Sequence, residues 1–589
     1  MDGFFNKTLY IDLTERTHES VEIPDRILKK YLGGKGLGSY LLFKNNKAKT
    51  DPLSGENHLI FTTGCATDIK VHGSSRYGVF TKSPLTGIYS ESYSGGRAAE
   101  YISRTGYDAV VLRGSSKKPL YLEISDTDVL FHEAEQIWGK DAYETENLVK
   151  EELHSKKAGI VVIGPAGENL VRFATISNDF GHCAGRTGTG AVMGSKGLKA
   201  IAFHGSRKRY PANPGVLDLH WKEMIKRGKD DPGVLAYREF GTSMMVSVMN
   251  SVNGFPTKYW SKGYFEKWKN ISADSLLARC DVKSNACPKC FISCGKLSRV
   301  IRGRHKGLTL EGPEYETIYA FGGLCMVDEI EEIIYLNDIC DRLGIDTITA
   351  GNLAAFAMEA AKRGIINERL EYGDVDAISE LLKKVAYRDG IGAVLAEGIL
   401  HTGKKWGLED IAIHVKGMEP AGYDPRILKG MGLAYATSDR GACHLRTTFY
   451  KPELAGIIDP NKVNGKAKLL VEYEDRLTIF DTLILCRFFR DLMPWTSLET
   501  IVRAATGLSA NESDLKKIAS RISNIVRAFN LREGVTRNDD TLPPRFFNEN
   551  LGNERKVINR NDFNRLLDDY YELRGWDSNG NCSLVIEDL

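Results

Sequence analysis

Residues 208–215, Lys-Arg-Tyr-Pro-Ala-Asn-Pro-Gly, mark the change of periodicity that decides the fold. Upstream lie short runs rich in β-branched and aromatic residues: HLIFTTG (58–64), YGVFTKS (77–83), DAVVLRG (108–114), LYLEISD (120–126), GIVVIGP (159–165) and LKAIAFHG (198–205). Turn residues separate them, so they read as strands. Downstream the apolar spacing becomes helical. Ile330, Ile333, Ile334, Ile339, Cys340 and Leu343 share one face of a helix from Asp328 to Leu343 that stops at Gly344. Asn352 to Arg363 continues in kind, and further helices are expected over 377–390, 393–407, 468–486, 514–530 and 560–575. The class is α+β, with a β-rich N-terminal part and mainly helical parts after it. No solenoid repeat, low-complexity tract or long linker occurs, so the parts should pack tightly together.

Composition narrows the function. The 589 residues carry 79 Lys+Arg against 77 Asp+Glu, a formal net charge of +2, which disfavours nucleic acid as a partner. With 42% hydrophobic residues and no apolar run of membrane-spanning length, the chain should bury a large core and cross no membrane. The start, MDGFFNKTLYIDL, lacks a basic stretch followed by an apolar one, so no secretory signal is read and a cytoplasmic location is expected. Eleven cysteines in so long a chain are too dilute for a disulfide scaffold.

Four features carry chemistry. Cys287-Pro-Lys-Cys290-Phe-Ile-Ser-Cys294 places three thiols on one short loop. Such a loop suits an iron–sulfur cubane with a distant fourth cysteine, or a zinc ion completed by Cys280. Glycine-rich loops at 33–38, 94–97 and 185–196 can cradle phosphate, although none has the spacing of an ATP or NAD loop and each also reads as a tight turn. Two acidic segments, Asp341 to Asp346 and Asp481 to Cys486, lie in apolar surroundings; taken singly, such carboxylates are more often caps or ion-pair partners. Finally Glu311-Gly-Pro-Glu314-Tyr-Glu316 and Gly441-Ala-Cys443-His444 offer an acid and an imidazole that, brought together, would move protons.

These motifs occur in a recognisable order: LGGKGLG, SSRYGVFTKSPLTG, GPAGENLVRFA, GRTGTGAVMGSKGLKAIA, CPKCFISCGK, EGPEYET, DRLGIDT, YDPR, RGACH, DDTLPPRFF and YYELRGW. Over nearly its whole length the chain resembles the tungsten-containing aldehyde ferredoxin oxidoreductases. The resemblance implies an N-terminal base of two β-sheets (1–208) and two mainly helical domains (209–413 and 414–589). Between them would lie a tungsten ion held by two molybdopterin dithiolenes. It implies that Cys287, Cys290, Cys294 and Cys486 bind one [4Fe–4S] cluster, leaving Cys280 without a metal role.

By the same resemblance Asp341, Gly344, Asp346, Asp481 and Leu485 belong to paired pterin-binding loops. Arg76, Ser94, Gly95, Gly185, Arg186 and Arg446 take pterin-side positions. The backbone carbonyls of Tyr93 and Cys183 would hold a Mg2+ that bridges the pterin phosphates. Glu316 and His444 match the active-site acid and imidazole, implying oxidation of a small aldehyde, with electrons passing to ferredoxin or an iron–sulfur subunit. A reductase of carboxylic acids or aromatic acyl-CoA esters would use the same cofactors, and a metal-stabilised scaffold is a distant third reading.

Three departures stand out. Ile484 replaces the glycine of the second pterin loop, whose turn is therefore expected to differ. Tyr335-Leu-Asn-Asp338 replaces an iron-binding Glu-x-x-His that joins two subunits in some members, leaving a homodimer without the bridging iron as the assembly the resemblance allows. His182 and Arg446 replace residues common at their pterin-side positions, as expected of a divergent branch.

Overall fold

The computed structural model describes residues 1–153, 157–551 and 556–583. Its first two hundred residues build two six-stranded sheets. The first holds β1 (Lys7–Asp12), β2 (Thr17–Glu22), β3 (Leu59–Thr62), β4 (Tyr77–Lys82), β5 (Tyr89–Ser94) and β6 (Ala109–Arg113), in the order β2-β1-β6-β3-β4-β5. The second holds β7 (Leu120–Ile124), β8 (Val129–Glu133), β9 (Gly159–Val162), β10 (Ile176–Asn178), β11 (His182–Ala184) and β12 (Leu198–Phe203), in the order β11-β10-β9-β12-β7-β8.

Because successive strand residues point to opposite faces, each strand serves two cores. Leu59 and Phe61 of β3 join Val110, Leu112, Leu122, Ile201 and Phe203 in a core shared by the two sheets. Ile60, which pairs with Phe80 and Val111, points outward with them. That outer face is covered by the helices Gly34–Asn45 and Glu512–Glu533. Tyr121, Ile160, Val162 and Ala200 line the outer face of the second sheet, under the helix Ala142–Glu152. Polar pairing ties the two sheets together: Tyr77 Oη of β4 and Ser94 Oγ of β5 both donate to Asn178 Oδ1 of β10, at 2.9 and 2.7 Å.

After residue 208 the chain is mainly helical, as its periodicity implies, and among the described residues no helix is long and apolar enough to cross a membrane. The long helices Ile330–Leu343 and Thr347–Lys362 bury most of their length. Three local expectations are corrected. A small antiparallel sheet of β13 (Cys280–Asn285), β14 (Gly295–Val300) and β15 (Thr309–Glu311) interrupts the helices. The helix read over 393–407 is broken at Gly398, whose φ of +85° separates Ile391–Leu395 from Ile399–Trp406. The helix read through Cys486 ends at Thr482, because Ile484 turns left-handed.

Candidate active site

A cavity of about 460 Å³ opens where the β-rich base meets the helical parts. Two helix ends form much of its frame. At the end of Ile330–Leu343, Gly344 is left-handed with φ +74°, its N–H bonds to the Asp341 carbonyl at 3.3 Å, and the Ile345 N–H bonds to the Cys340 carbonyl at 2.9 Å. At the end of Lys466–Thr482, Ile484 is left-handed with φ +58°, its N–H bonds to the Asp481 carbonyl at 3.3 Å, and the Leu485 N–H bonds to the Phe480 carbonyl at 2.7 Å. The expectation that Ile484 alters the turn is therefore overturned: both loops use one hydrogen-bond pattern. The Ile484 side chain is buried, and packing offsets the strain of its conformation.

Each loop docks on one sheet. The first rests on the second sheet's connections, with the Thr175 N–H donating to the Gly344 carbonyl at 2.9 Å. A Cβ on Gly344 would lie 2.9 Å from the Gly164 nitrogen, so the close approach and the positive φ together select glycine. The second loop rests on connections of the first sheet, with the Cys486 N–H donating to the Gly73 carbonyl at 2.8 Å. The glycine-rich stretch at 33–38, expected as a loop, is instead the start of the helix Gly34–Asn45, and it serves this contact: a Cβ on Gly34 would stand 2.3 Å from the Asp481 carbonyl oxygen.

Charge divides the two loops. Asp341 is buried; burial and the nearby Asp338 and Glu311 push its pKa well above the carboxylate range, and Asn337 donates to it at 2.8 Å. Asp346 caps the next helix through the Ile348 N–H at 3.1 Å and pairs with Arg186 at 3.1 Å. Asp481 is equally buried, and burial alone would raise its pKa. Arg487, Arg446, Lys35 and Arg76 instead hold it below the usual range. Arg446 meets Asp481 at 3.0 Å and also pairs with Glu91, which Lys35 contacts at 3.0 Å. Arg76 and Arg446 each lie over the Tyr93 ring at 5.5 Å. Several buried polar atoms there have no partner: Arg446 Nε and Nη2, Arg487 Nε and Nη1, and Asp481 Oδ1.

The β13–β14 hairpin carries Cys287, Cys290 and Cys294 to the cavity wall, and Cys486 reaches the same wall from the second helix end. Burial raises each of the three hairpin thiols, and proximity to Cys486 raises each further. Among the described residues no three His, Cys, Asp or Glu side chains are gathered tightly enough to hold one ion. Cys280 begins β13, away from that wall, in the helical core.

Across the cavity, Glu316 Oε1 stands 3.5 Å from His444 Nε2. The Gly422 N–H donates to Glu316 Oε2 at 2.9 Å, and Thr317 and Thr347 hydroxyls bond at 2.9 Å, tying the Glu316 segment to the Asp346 loop. Burial raises the Glu316 pKa to about 8. Burial and then the cations Arg186, Arg440, Arg487 and Arg490 push His444 well below 6.5. At neutral pH the pair is therefore a carboxylic acid beside a neutral imidazole, each with an unpartnered atom, Glu316 Oε1 and His444 Nδ1.

Of the residues singled out from sequence, Arg76, Tyr93, Gly95, Cys183, Gly185, Arg186, Glu316, Asp341, Asp346, His444 and the four cysteines line the cavity. Ser94, Gly344, Arg446, Asp481 and Leu485 stand behind the wall; Arg487 connects Asp481 to it, and the Leu485 carbonyl accepts from Arg76 at 3.4 Å. His182 faces Glu311 at 3.4 Å. Tyr335 stacks on His305 at 4.2 Å and Asp338 pairs with Arg342 at 2.8 Å, so both are engaged within the chain. Sequence reading missed Lys35, Glu91, Arg440, Arg487 and Arg490, and also Glu419, which pairs with Arg186 at 3.6 Å. Lys35 and Arg440 lie inside quoted motifs, and Arg487 follows Cys486 directly.

Family models agree with this architecture. The aldehyde ferredoxin oxidoreductase N-terminal domain matches residues 8–205, and domains 2 and 3 of the same family match 220–584. The chain is 36% identical over 595 residues to the tungsten-containing aldehyde ferredoxin oxidoreductase of Pyrococcus furiosus, covering 98% of this chain and 97% of the relative. It is 31% identical over 624 residues to an aliphatic sulfonate oxidoreductase WOR-like subunit of the same organism, covering 98% and 96%. The fold matches the active-site complex BamBC of benzoyl coenzyme A reductase with a TM-score of 0.85 at 24% identity, over 99% of this chain and 96% of that one. Sequence motifs, paired helix ends and full-length similarity converge: the chain belongs to the tungsten-containing aldehyde ferredoxin oxidoreductase family.

Proposed function

We propose that this chain oxidises aldehydes to carboxylic acids and passes the electrons to ferredoxin or an iron–sulfur partner subunit. The observation that carries the reading is the Glu316–His444 pair, 3.5 Å apart in the wall of a cavity framed by two matched helix ends. The family is tungsten-containing, and the donor set fits a pterin-bound metal. Orphaned guanidinium atoms of Arg446 and Arg487 offer charge-assisted hydrogen bonds to phosphate, and Asp341 and Asp481 would bond the two pterin rings. Cys287, Cys290, Cys294 and Cys486 would hold one [4Fe–4S] cluster, whose four irons need a wider thiol cage than one tetrahedral zinc. The Tyr93 and Cys183 carbonyls, on abutting end strands, would hold the Mg2+. When bound, the tungsten centre supplies two-electron chemistry between W(VI) and W(IV), and the cluster relays electrons singly.

The chain's own residues handle orientation and protons. Neutral His444 donates an N–H to the aldehyde carbonyl oxygen and fixes its direction. Glu316 takes a proton from the attacking water or hydroxyl and releases it before the next turnover, a role suited to a carboxyl titrating near pH 8. In balance, RCHO and H2O give RCOOH, two electrons and two protons.

The test is metal analysis of anaerobically purified protein with aldehyde-dependent viologen reduction. One tungsten and about four irons per chain, with turnover, are expected; zinc alone from a host that makes the tungsten cofactor overturns the reading. Glu316→Gln should keep the metals and lose about 10²–10⁴ in rate. Since the ionised carboxylate is the base, the wild-type rate should rise with pH to a plateau above about 8, a limb the variant lacks.

A further inference from the structure

A second groove, of about 550 Å³, opens beside the loop 68–73 and shares no lining residue with the cavity around Glu316 and His444. Its charged lining is five cations, Lys70, Arg104, Arg207, Lys208 and Arg209, against one carboxylate, Asp68. The cations of the floor are satisfied within the chain. Arg209 is buried on Asp108 at 2.6 Å, and Arg104 meets Asp68 at 2.8 Å and Glu100 at 3.2 Å. Those of the rim are not. Lys70 pairs with Asp218 at 2.6 Å, each side chain 50% exposed, and Arg207, 61% exposed, stands 3.6 Å from Asp126. Lys208 is exposed and makes no ion pair among the described residues. Exposed pairs of this kind are weak and exchange partners readily. Tyr210 projects beside them, 75% exposed, and an aromatic ring amid exposed cations suits a protein partner better than a small ion.

The loop 68–73 connects this groove to the cysteines. Asp68 holds the Lys289 ammonium at 2.9 Å, and Lys289 lies between Cys287 and Cys290. The Gly73 N–H donates to the Lys289 carbonyl at 3.3 Å, and the Gly73 carbonyl accepts from the Cys486 N–H at 2.8 Å. One short loop thus lines the groove and bonds to both cysteine-bearing segments.

We propose that an acidic iron–sulfur protein docks in this groove and takes electrons there. This rests on the electron transfer proposed above. A seated acceptor gains one electron as the four-cysteine cluster loses one, so two such transfers clear the pair released per aldehyde. Carboxylates of the acceptor replace Asp218 and Asp126 as partners of Lys70 and Arg207 and complete Lys208, while Tyr210 supplies contact area. Opposite charge on the two faces speeds their encounter, and salt screens it.

The experiment uses tungsten-loaded holoenzyme and follows aldehyde-dependent reduction of an acidic, bacterial-type ferredoxin and, separately, of benzyl viologen. Charge reversal along the rim, Lys70→Glu with Arg207→Glu and Lys208→Glu, should lower kcat/KM for ferredoxin by about 10- to 100-fold at low salt. The deficit should shrink as salt approaches about 0.3 M, while viologen reduction stays at the wild-type rate. Tyr210→Ser should raise the KM for ferredoxin at every salt concentration. All four side chains are exposed, so the substitutions leave the core untouched. A loss no larger than that of Lys404→Glu with Lys405→Glu, on the helix Ile399–Trp406, or a loss indifferent to salt, overturns the proposal. Calorimetric binding of oxidised ferredoxin to the same proteins reads docking without turnover. If neither acceptor is reduced, the proposed reaction fails. Ferredoxin binding that weakens in the rim variant would still establish the groove, and binding equal in both proteins, or absent from both, would refute it.

Discussion

The two helix ends that frame the cavity share a backbone and differ in everything electrostatic. Asp341 and Asp481 begin the same left-handed turn, and each loop leans on one of the two sheets. Asp341 sits among carboxylates and is pushed toward neutrality; Asp481 sits among Arg487, Arg446, Lys35 and Arg76 and is held ionised. Backbone geometry therefore places two side chains in equivalent positions, and the neighbours decide whether each donates or accepts a hydrogen bond. A pterin bound at the first loop would meet an acid that can give a proton, and one at the second a fixed anion.

The sharpest way to break the comparison is Asp481→Asn. Removing that charge strands several buried cations, and the cost should be about 3–5 kcal/mol of stability. Its sign follows from linkage: a carboxyl held below its unfolded value stabilises above pH about 4, and that contribution is lost as pH falls through the folded value. Denaturant titration should therefore show the deficit at pH 7 shrinking toward pH 3.

Gly344→Ala tests the backbone half of the comparison. A left-handed alanine costs about 1–2 kcal/mol, and its Cβ would crowd the Gly164 nitrogen at 2.9 Å. Ile484→Gly should move stability by only about 1 kcal/mol, because relief of strain opposes the loss of a buried side chain. If Ile484→Gly is as damaging as Gly344→Ala, the two turns are not equivalent.

The smallest effect is expected for Asp341→Asn at low pH, within about 1 kcal/mol below pH about 4, where a neutral amide replaces an acid that is neutral in folded and unfolded chains alike. Here the sign reverses. A carboxyl raised above its unfolded value binds an extra proton in the folded chain, so wild-type stability falls as pH rises from about 4 toward the folded value. The variant should gain on wild type as pH rises above about 4, opposite to the trend at Asp481. Parallel trends would show that the charge asymmetry is not real.

Much of this was legible from residues. Strand runs and helical faces gave the layered class because burial imposes period two on one and 3.6 on the other. The β13–β14–β15 sheet escaped because CDVKSN and GKLSRV are largely polar, leaving no apolar alternation to read. The Ile484 turn was misread because sequence alone suggests that only glycine turns left, whereas here burial of the side chain holds the conformation. Motifs singled out Glu316, His444 and the four cysteines, and all six line one cavity. Lys35, Glu91, Arg487 and Arg490 were not singled out, since a buried charge looks like a surface one until its neighbours are placed.

The Arg76 bond to the Leu485 carbonyl joins positions 409 residues apart. Loop-closure entropy for that span must be overcome before the contact rewards it, so the bond depends on the rest of the fold being in place. The chamber's wall holds Arg446 and Arg487 sharing the one carboxylate of Asp481 with donors left over, and an anionic ligand bound there would draw the folded population forward by mass action.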